Sequence, residues 1–277
     1  MELILTLQCK DQPGIVNAVT SAILKCNGNI TENQQFTDPQ SQIFVMRTRF
    51  ETDETETTCH QILARDLTRF DSALTLRGAD RKKKALVLVT KEDHCLRELL
   101  YLHDLGELPI EIPAVMSNHD DLRAVAEGHE IRFDSFPDLG KSEQEILISA
   151  AIEKYEIDFV ILARYMQILS QEFCESMAGN IINIHHSFLP GFKGAKPYHQ
   201  AHARGVKIIG ATAHFVTGDL DEGPIIEQDV APVNHSKGPD ALVAIGRDIE
   251  RRVLAKAVQL FAEDRIFLVG NRTIIFS

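Results

Sequence analysis

Asn183-Ile184-His185 closes an apolar, strand-like run that starts at Ile181. Period-two alternation turns Asn183 and His185 to one side of such a strand and Ile184 to the other. An amide NH2 can donate to a developing oxyanion, and an imidazole can do the same or carry a proton. A carboxylate that could orient water and accept its proton is offered by the glycine-bounded loop Gly218-Asp219-Leu220-Asp221-Glu222-Gly223, where Asp219 and Asp221 are both candidates. Together the three residue types suit acyl-group chemistry without a covalent nucleophile.

Each of these residues also has a structural reading. Asparagine at a strand end and aspartate in a glycine-bounded loop are favoured as caps and turn formers. The same region holds His185, His186, His199, His202 and His214 of the chain's 11 histidines. Adjacent strand residues face opposite ways, so alternation favours His185 for the chemistry and leaves His186 to support it or to face solvent. His199 and His202 have the i,i+3 spacing of a helical metal pair, but no third ligand follows at a recognisable spacing, and no metal is expected. Ser187 lacks the Gly-x-Ser-x-Gly elbow of a nucleophilic serine.

A scaffold must bring these segments together, and from Ala85 onward strand-like and helical runs alternate. Strands are expected at residues 85–89, 112–116, 130–133, 159–162 and 181–184, with helices near 95–103, 122–127 and 172–177. A longer helix opens on Ser142-Glu-Gln-Glu145, a capping-box pattern. Strands at 211–217 and 225–230, a helix at 239–264 and a hairpin of 266–269 with 273–276 complete the chain. The pattern predicts an open, twisted α/β sheet with helices on both faces, whose ligands bind beyond the carboxyl ends of the strands. Residues 163–170 and 185–190 follow two such ends and should face one crevice.

The first part of the chain reads differently. Strand, helix, two strands, helix and strand follow one another over residues 2–76, giving the order βαββαβ. The charge run Arg81-Lys-Lys-Lys84 reads as a linker, so the expected domains are 1–80 and 85–277 with 81–84 between them. The 277 residues are 44% apolar, enough to bury two cores. A formal charge of -11 opposes non-specific nucleic-acid binding. No apolar run reaches the roughly 20 residues of a membrane span, and Glu2 stands where a signal peptide carries basic residues, so a cytoplasmic protein is expected. The 5 cysteines are scattered and never form Cys-x-x-Cys, which argues against disulfides or a thiolate metal site.

The βαββαβ order with Asp11-Gln-Pro-Gly-Ile-Val16 after its first strand resembles the ACT domain. That resemblance implies a ferredoxin-like module that binds an amino-acid effector and associates into a homo-oligomer. Asn183-Ile-His185, Ser187-x-Leu189-Pro190, His214-Phe-Val-Thr217 and Leu220-Asp221-x-Gly223-Pro224 resemble, in order, the folate-dependent formyltransferases. The resemblance implies that Asn183, His185 and Asp221 form a catalytic trio acting on 10-formyltetrahydrofolate. It also implies that His214 lies against the substrate and that the pterin sits near Met166, Gln167, Ile168 and Leu169.

Two departures bear on the acceptor. Where glycinamide ribonucleotide transformylase has a Gly/Ser/Asn-rich loop for the acceptor's phosphate, this chain has Thr90-Lys-Glu-Asp-His-Cys95, with no glycine and two acids. Arg164-Tyr-Met-Gln167, Gly194-Ala-Lys-Pro-Tyr-His-Gln-Ala201 and His186 in place of a proline resemble instead the formyltetrahydrofolate deformylases, which also carry an ACT domain. This implies hydrolysis to formate and tetrahydrofolate in one-carbon metabolism, with formate fed to purine synthesis and no cofactor. His186, Tyr198 and His199 would then support the trio. Lys193, Lys196 and Arg204 are the nearby cations for a glutamate tail, and glycine or methionine is the expected effector. Two rivals stand beside this reading: formyl transfer to an amine, and an amino-acid-binding regulatory protein whose trio is inert.

Overall fold

The alternating apolar positions of Glu2–Lys10 build the first strand of a computed structural model that describes residues 1–189 and 197–277. The N-terminal elements are β1 (Glu2–Lys10), α1 (Ile15–Lys25), β2 (Asn29–Asp38), β3 (Ile43–Glu51), α2 (Glu56–Leu67) and β4 (Ala73–Gly78), the expected βαββαβ order. They form a four-stranded sheet in the order β2-β3-β1-β4, with β1 antiparallel to both β3 and β4. Leu3, Leu5 and Leu7 of β1 are fully buried in one cluster with Ile15, Val19 and Ile23 of α1 and Leu63 and Leu67 of α2. The helical faces repeat every three or four residues and cover the apolar face of the sheet. Thr55 caps α2, its hydroxyl accepting from the Thr58 N–H at 3.1 Å.

The second unit contains β5 (Lys83–Val89), α3 (His94–Asp104), β6 (Ile110–Ser117), α4 (Arg123–Glu127), β7 (Arg132–Ser135), α5 (Lys141–Tyr155), β8 (Phe159–Leu162), α6 (Gln171–Ser176), β9 (Ile181–His185), α7 (Pro197–Ala203), β10 (Ile208–Phe215), β11 (Ile225–Pro232) and α8 (Pro239–Ala262). Its seven-stranded sheet runs β11-β10-β9-β8-β5-β6-β7. The pairings from β9 through β8, β5 and β6 to β7 are parallel, while β10 is antiparallel to β9 and β11. All of β8 and the Ala85–Val89 part of β5 are buried, as central parallel strands with both faces covered must be. After β7 the chain returns to the other side of β5, so the strand order reverses between β5 and β8. Crevices for ligands open at such switch points, beyond the carboxyl ends of the strands. There the Thr90 hydroxyl donates to Asn118 Oδ1 at 2.9 Å and accepts from the Met166 N–H at 3.0 Å, joining the ends of β5, β6 and β8.

Three expectations change. Lys83 and Lys84 belong to β5, so the charge run is strand over half its length, and the Lys84 N–H donates to Asp158 Oδ2 at 2.8 Å. Helix α5 starts at Lys141, and Glu143 rather than Glu145 folds back to accept from the Gly140 N–H at 2.9 Å. Glu145 is thereby free to hold the start of α6, accepting from the Ser170 N–H and hydroxyl at 2.6 and 2.5 Å. The end of the chain does not belong wholly with residues 85–262. The compact units are Met1–Lys82 with Asp264–Gly270 and Ile274–Ser277, and Lys83–Glu263 with Asn271–Thr273. The hairpin of β12 (Ile266–Val269) and β13 (Arg272–Ile275) is too short to be stable alone, and Phe267, Val269 and Phe276 bury themselves in a cluster with Val45 of β3.

Candidate active site

Strand register brings the first pair of side chains together. Asn183 of β9 stands opposite Leu162 of β8 on one side and His214 of β10 on the other, and His185 stands opposite Thr212. Directly opposed side chains start about 4.5–5.5 Å apart, and here Asn183 Nδ2 lies 3.2 Å from His214 Nε2. The Nδ1 of His214 is 2.9 Å from the Phe215 carbonyl oxygen. A carbonyl only accepts, so Nδ1 carries the proton and Nε2 accepts from the Asn183 amide. Burial lowers the pKa of His214 more than the Phe215 bond and the charge of Asp221 raise it, which keeps this ring neutral. One amide N–H of Asn183 is thus bound to His214, and the second remains for a ligand. Ile184, 3% exposed, is turned into the core as alternation requires.

The carboxylate arrives from the turn between β10 and β11. Asp221 has φ 58°, a left-handed conformation that aspartate tolerates better than most residues. Gly223 holds the turn against β10: a Cβ there would stand 1.7 Å from the Phe215 carbonyl oxygen, while the Phe215 N–H donates to the Pro224 carbonyl at 2.9 Å. In this turn Asp221 Oδ1 lies 3.2 Å from His185 Nδ1 and 3.8 Å from His214 Nε2. The hydrogen bond from His185 holds the Asp221 carboxyl below the usual carboxylate range against the opposing effect of burial. Asp219 is exposed, and its carbonyl accepts from the Thr217 hydroxyl. The geometry therefore separates two aspartates that spacing left equivalent.

Asn183, His185, His186, His214 and Asp221 line one cavity of about 370 Å³ together with Met166, Gln167, Ile168 and Leu169. Met166 and Ile168 present 56% and 61% of their surface, whereas Leu169 is a core residue at 9%. The apolar surface near the expected pterin position is therefore supplied by Met166 and Ile168. His185 Nε2 is buried without a hydrogen-bond partner among the described residues. Tyr198 is buried, but its hydroxyl donates to Glu250 Oε1 at 2.6 Å. His199 is exposed on α7 and does not line the cavity. Lys193 and Lys196 lie outside the described residues, and Arg204 is exposed just after α7.

Sequence reasoning placed Arg164 in a motif at the crevice but gave it no role, and it missed its partner Glu250 on α8; Arg164 also lines the cavity. The available signal for Arg164 was its place two residues past the end of a central strand. His94, Cys95 and Glu250 bring three potential ligand atoms within 4.8 Å of one another. Arg164 Nε already stands 3.4 Å from Glu250, and burial followed by the charge of Glu250 raises the Cys95 thiol, so the chemistry there is that of an ion pair.

His186 packs edge-to-face on His185, with ring centroids 5.1 Å apart. Burial first, then the charges of Arg164 and His185, push its pKa down to about 4. An unfolded histidine titrates near 6.5. Between about 6.5 and about 4 the unfolded chain takes up a proton that the folded chain refuses, so stability falls as pH falls through that window and is unaffected above it. His186→Gln should shrink the drop in melting temperature between pH 7.5 and pH 5. An undiminished drop would put the proton uptake elsewhere.

Residues 83–258 match the family model described as Formyl transferase. A protein named formyltetrahydrofolate deformylase from Synechocystis sp. is 44% identical over 99% of this chain and 98% of its own length. The crystal structure of formyltetrahydrofolate deformylase from Burkholderia mallei, 45% identical, superposes with a TM-score of 0.96 over 100% of this chain and 99% of that one. Glycinamide ribonucleotide transformylase 1 from Symbiobacterium toebii is 29% identical and reaches a TM-score of 0.67 over 74% of this chain and 98% of its own.

Proposed function

Since the chain belongs to the formyltetrahydrofolate deformylase family, we infer that it hydrolyses 10-formyltetrahydrofolate to formate and tetrahydrofolate. The observation that carries this reading is the convergence of an ionised Asp221, His185 at 3.2 Å and the Asn183 amide in one cavity. Asp221 orients a water and takes its proton as the oxygen attacks the formyl carbon. The second Asn183 N–H and His185 Nε2, when it carries a proton, donate to the oxyanion of the tetrahedral intermediate. The bond from carbon to the folate nitrogen then breaks, the nitrogen is protonated through His185, and formate leaves. Mixing the protein with 10-formyltetrahydrofolate and no amine tests this: formate should appear with turnover, unaffected by a chelator because the reaction uses no cofactor. A strict requirement for an added amine would make the protein a transferase, and no turnover at all would favour the regulatory rival.

Support for water over an amine comes from the Thr90–Cys95 stretch, which has no glycine-rich cradle for a phosphate and carries Glu92 and Asp93. The product formate would feed purine synthesis and balance the one-carbon pool in the cytoplasm. The first unit is read as an ACT-like module on its βαββαβ order, taking glycine or methionine as effector and joining copies into a homo-oligomer. Calorimetric titration of the whole chain with each amino acid checks the effector, and heat from neither would remove it.

A further inference from the structure

Glu250 is only 1% exposed, yet no step of the hydrolysis uses it. Its Oε1 accepts from the Tyr198 hydroxyl at 2.6 Å, its Oε2 accepts from His94 Nε2 at 2.9 Å, and Arg164 Nε lies 3.4 Å from Oε2. Burial raises its pKa, but His94, Arg164 and Tyr198 together outweigh burial and keep the carboxyl ionised. Tyr198 reaches Glu250 because Gly246 lies one helical turn earlier on α8: a Cβ there would stand 2.1 Å from the Tyr198 ring. A buried ion pair built from separate elements is weak evidence for stability.

Arg164 carries the argument to the catalytic cavity. It stands two residues past the end of β8 and takes φ 64°, a left-handed conformation uncommon outside glycine. It lines the cavity beside His185 and His186 while its Nε lies against Glu250. His94 opens α3, in the stretch after β5 that corresponds to the phosphate loop of the transformylases. Met166 and Ile168, on the side read as the folate pocket, stay exposed. The filling is therefore one-sided.

We propose that Arg164, backed by Glu250 with its partners His94 and Tyr198, fills the acceptor side of the cavity, so that water reaches the formyl carbon and an amine does not. Arg164 is the residue that decides this specificity, with Glu250 holding it in place. The proposal rests on the hydrolase reading. An acceptor bearing a phosphate would find Glu92 and Asp93 in place of a glycine-rich cradle, and even a small neutral amine would have to displace the Arg164 guanidinium.

The test measures partition between two products. Wild-type protein, supplied with 10-formyltetrahydrofolate and glycinamide, should give formate and no formylglycinamide above the uncatalysed level. The double variant Arg164→Gly, Glu250→Gln opens the space without leaving a lone buried carboxylate. Its ratio of formylglycinamide to formate should rise roughly tenfold or more, the scale on which a change in pocket shape discriminates substrates. An unchanged ratio in a folded, active double variant overturns the proposal. So does efficient capture by glycinamide in the wild type, which needs no variant to fold. Absence of formate from the wild type without amine would instead overturn the hydrolase reading.

Discussion

Asp221→Asn should lower kcat for formate release by roughly 10³-fold, within the 10²- to 10⁴-fold span of a positioned general base. The substitution keeps the size of the side chain and leaves an amide oxygen to accept from His185 Nδ1, which Asp221 Oδ1 meets at 3.2 Å. What it removes is the charge and the basic oxygen. The carboxyl of Asp221 is held low by that hydrogen bond, so it is ionised from neutral pH well into the acid range. Its own protonation should therefore not shape the pH profile of the wild type above about pH 5. A low pKa makes a weak base in the resting site, and proton transfer becomes favourable only as attack on the formyl carbon acidifies the water. The stability that the depressed pKa contributes is present above the unfolded value and lost as pH falls through the folded value, so the folded state of the variant should be checked by melting at neutral pH. A folded Asp221→Asn protein with near wild-type kcat would sink the mechanism.

The placement of these residues was legible in the sequence where local periodicity decides and not where distant segments meet. Alternation alone picked Asn183 with His185, because the two-residue period of a strand is insensitive to its surroundings. The wholly apolar run Phe159–Leu162 likewise announced a central parallel strand. Spacing alone left Asp219 and Asp221 equivalent; the resemblance chose Asp221, and the physical reason lies in the turn, whose shape depends on Gly223 fitting under the Phe215 carbonyl. Helix α7 is too short for a period to stand out, and only the spacing of His199 and His202 hinted at it. The partnership of Arg164 with Glu250 joins the end of a strand to the middle of the last helix, and no local pattern encodes it. Glu145 shows the opposite failure: a capping pattern was present, but a neighbouring glutamate capped the helix and left Glu145 to hold Ser170.

Asn183→Ala isolates the oxyanion interaction and should lower turnover by about 10²- to 10³-fold, the cost of losing one such donor. One N–H of its amide goes to His214 Nε2 at 3.2 Å, an acceptor whose tautomer is set by the Phe215 carbonyl. That bond orients the amide so that the remaining N–H faces the cavity. Because the formyl oxygen gains charge only as the tetrahedral intermediate forms, the loss should fall on kcat and leave KM nearly unchanged. Asn183→Asp sharpens the case: it is similar in shape but cannot donate when ionised, and it adds a negative charge to a site that already holds Asp221. Its loss should exceed that of the alanine variant, whereas a residue that merely spaces the strands would be better replaced by aspartate than by alanine. Steady-state formate release by wild type and both variants decides between these orders. A raised KM with unchanged kcat in Asn183→Ala would assign the amide to binding of the substrate ground state and leave His185 as the remaining candidate donor to the oxyanion.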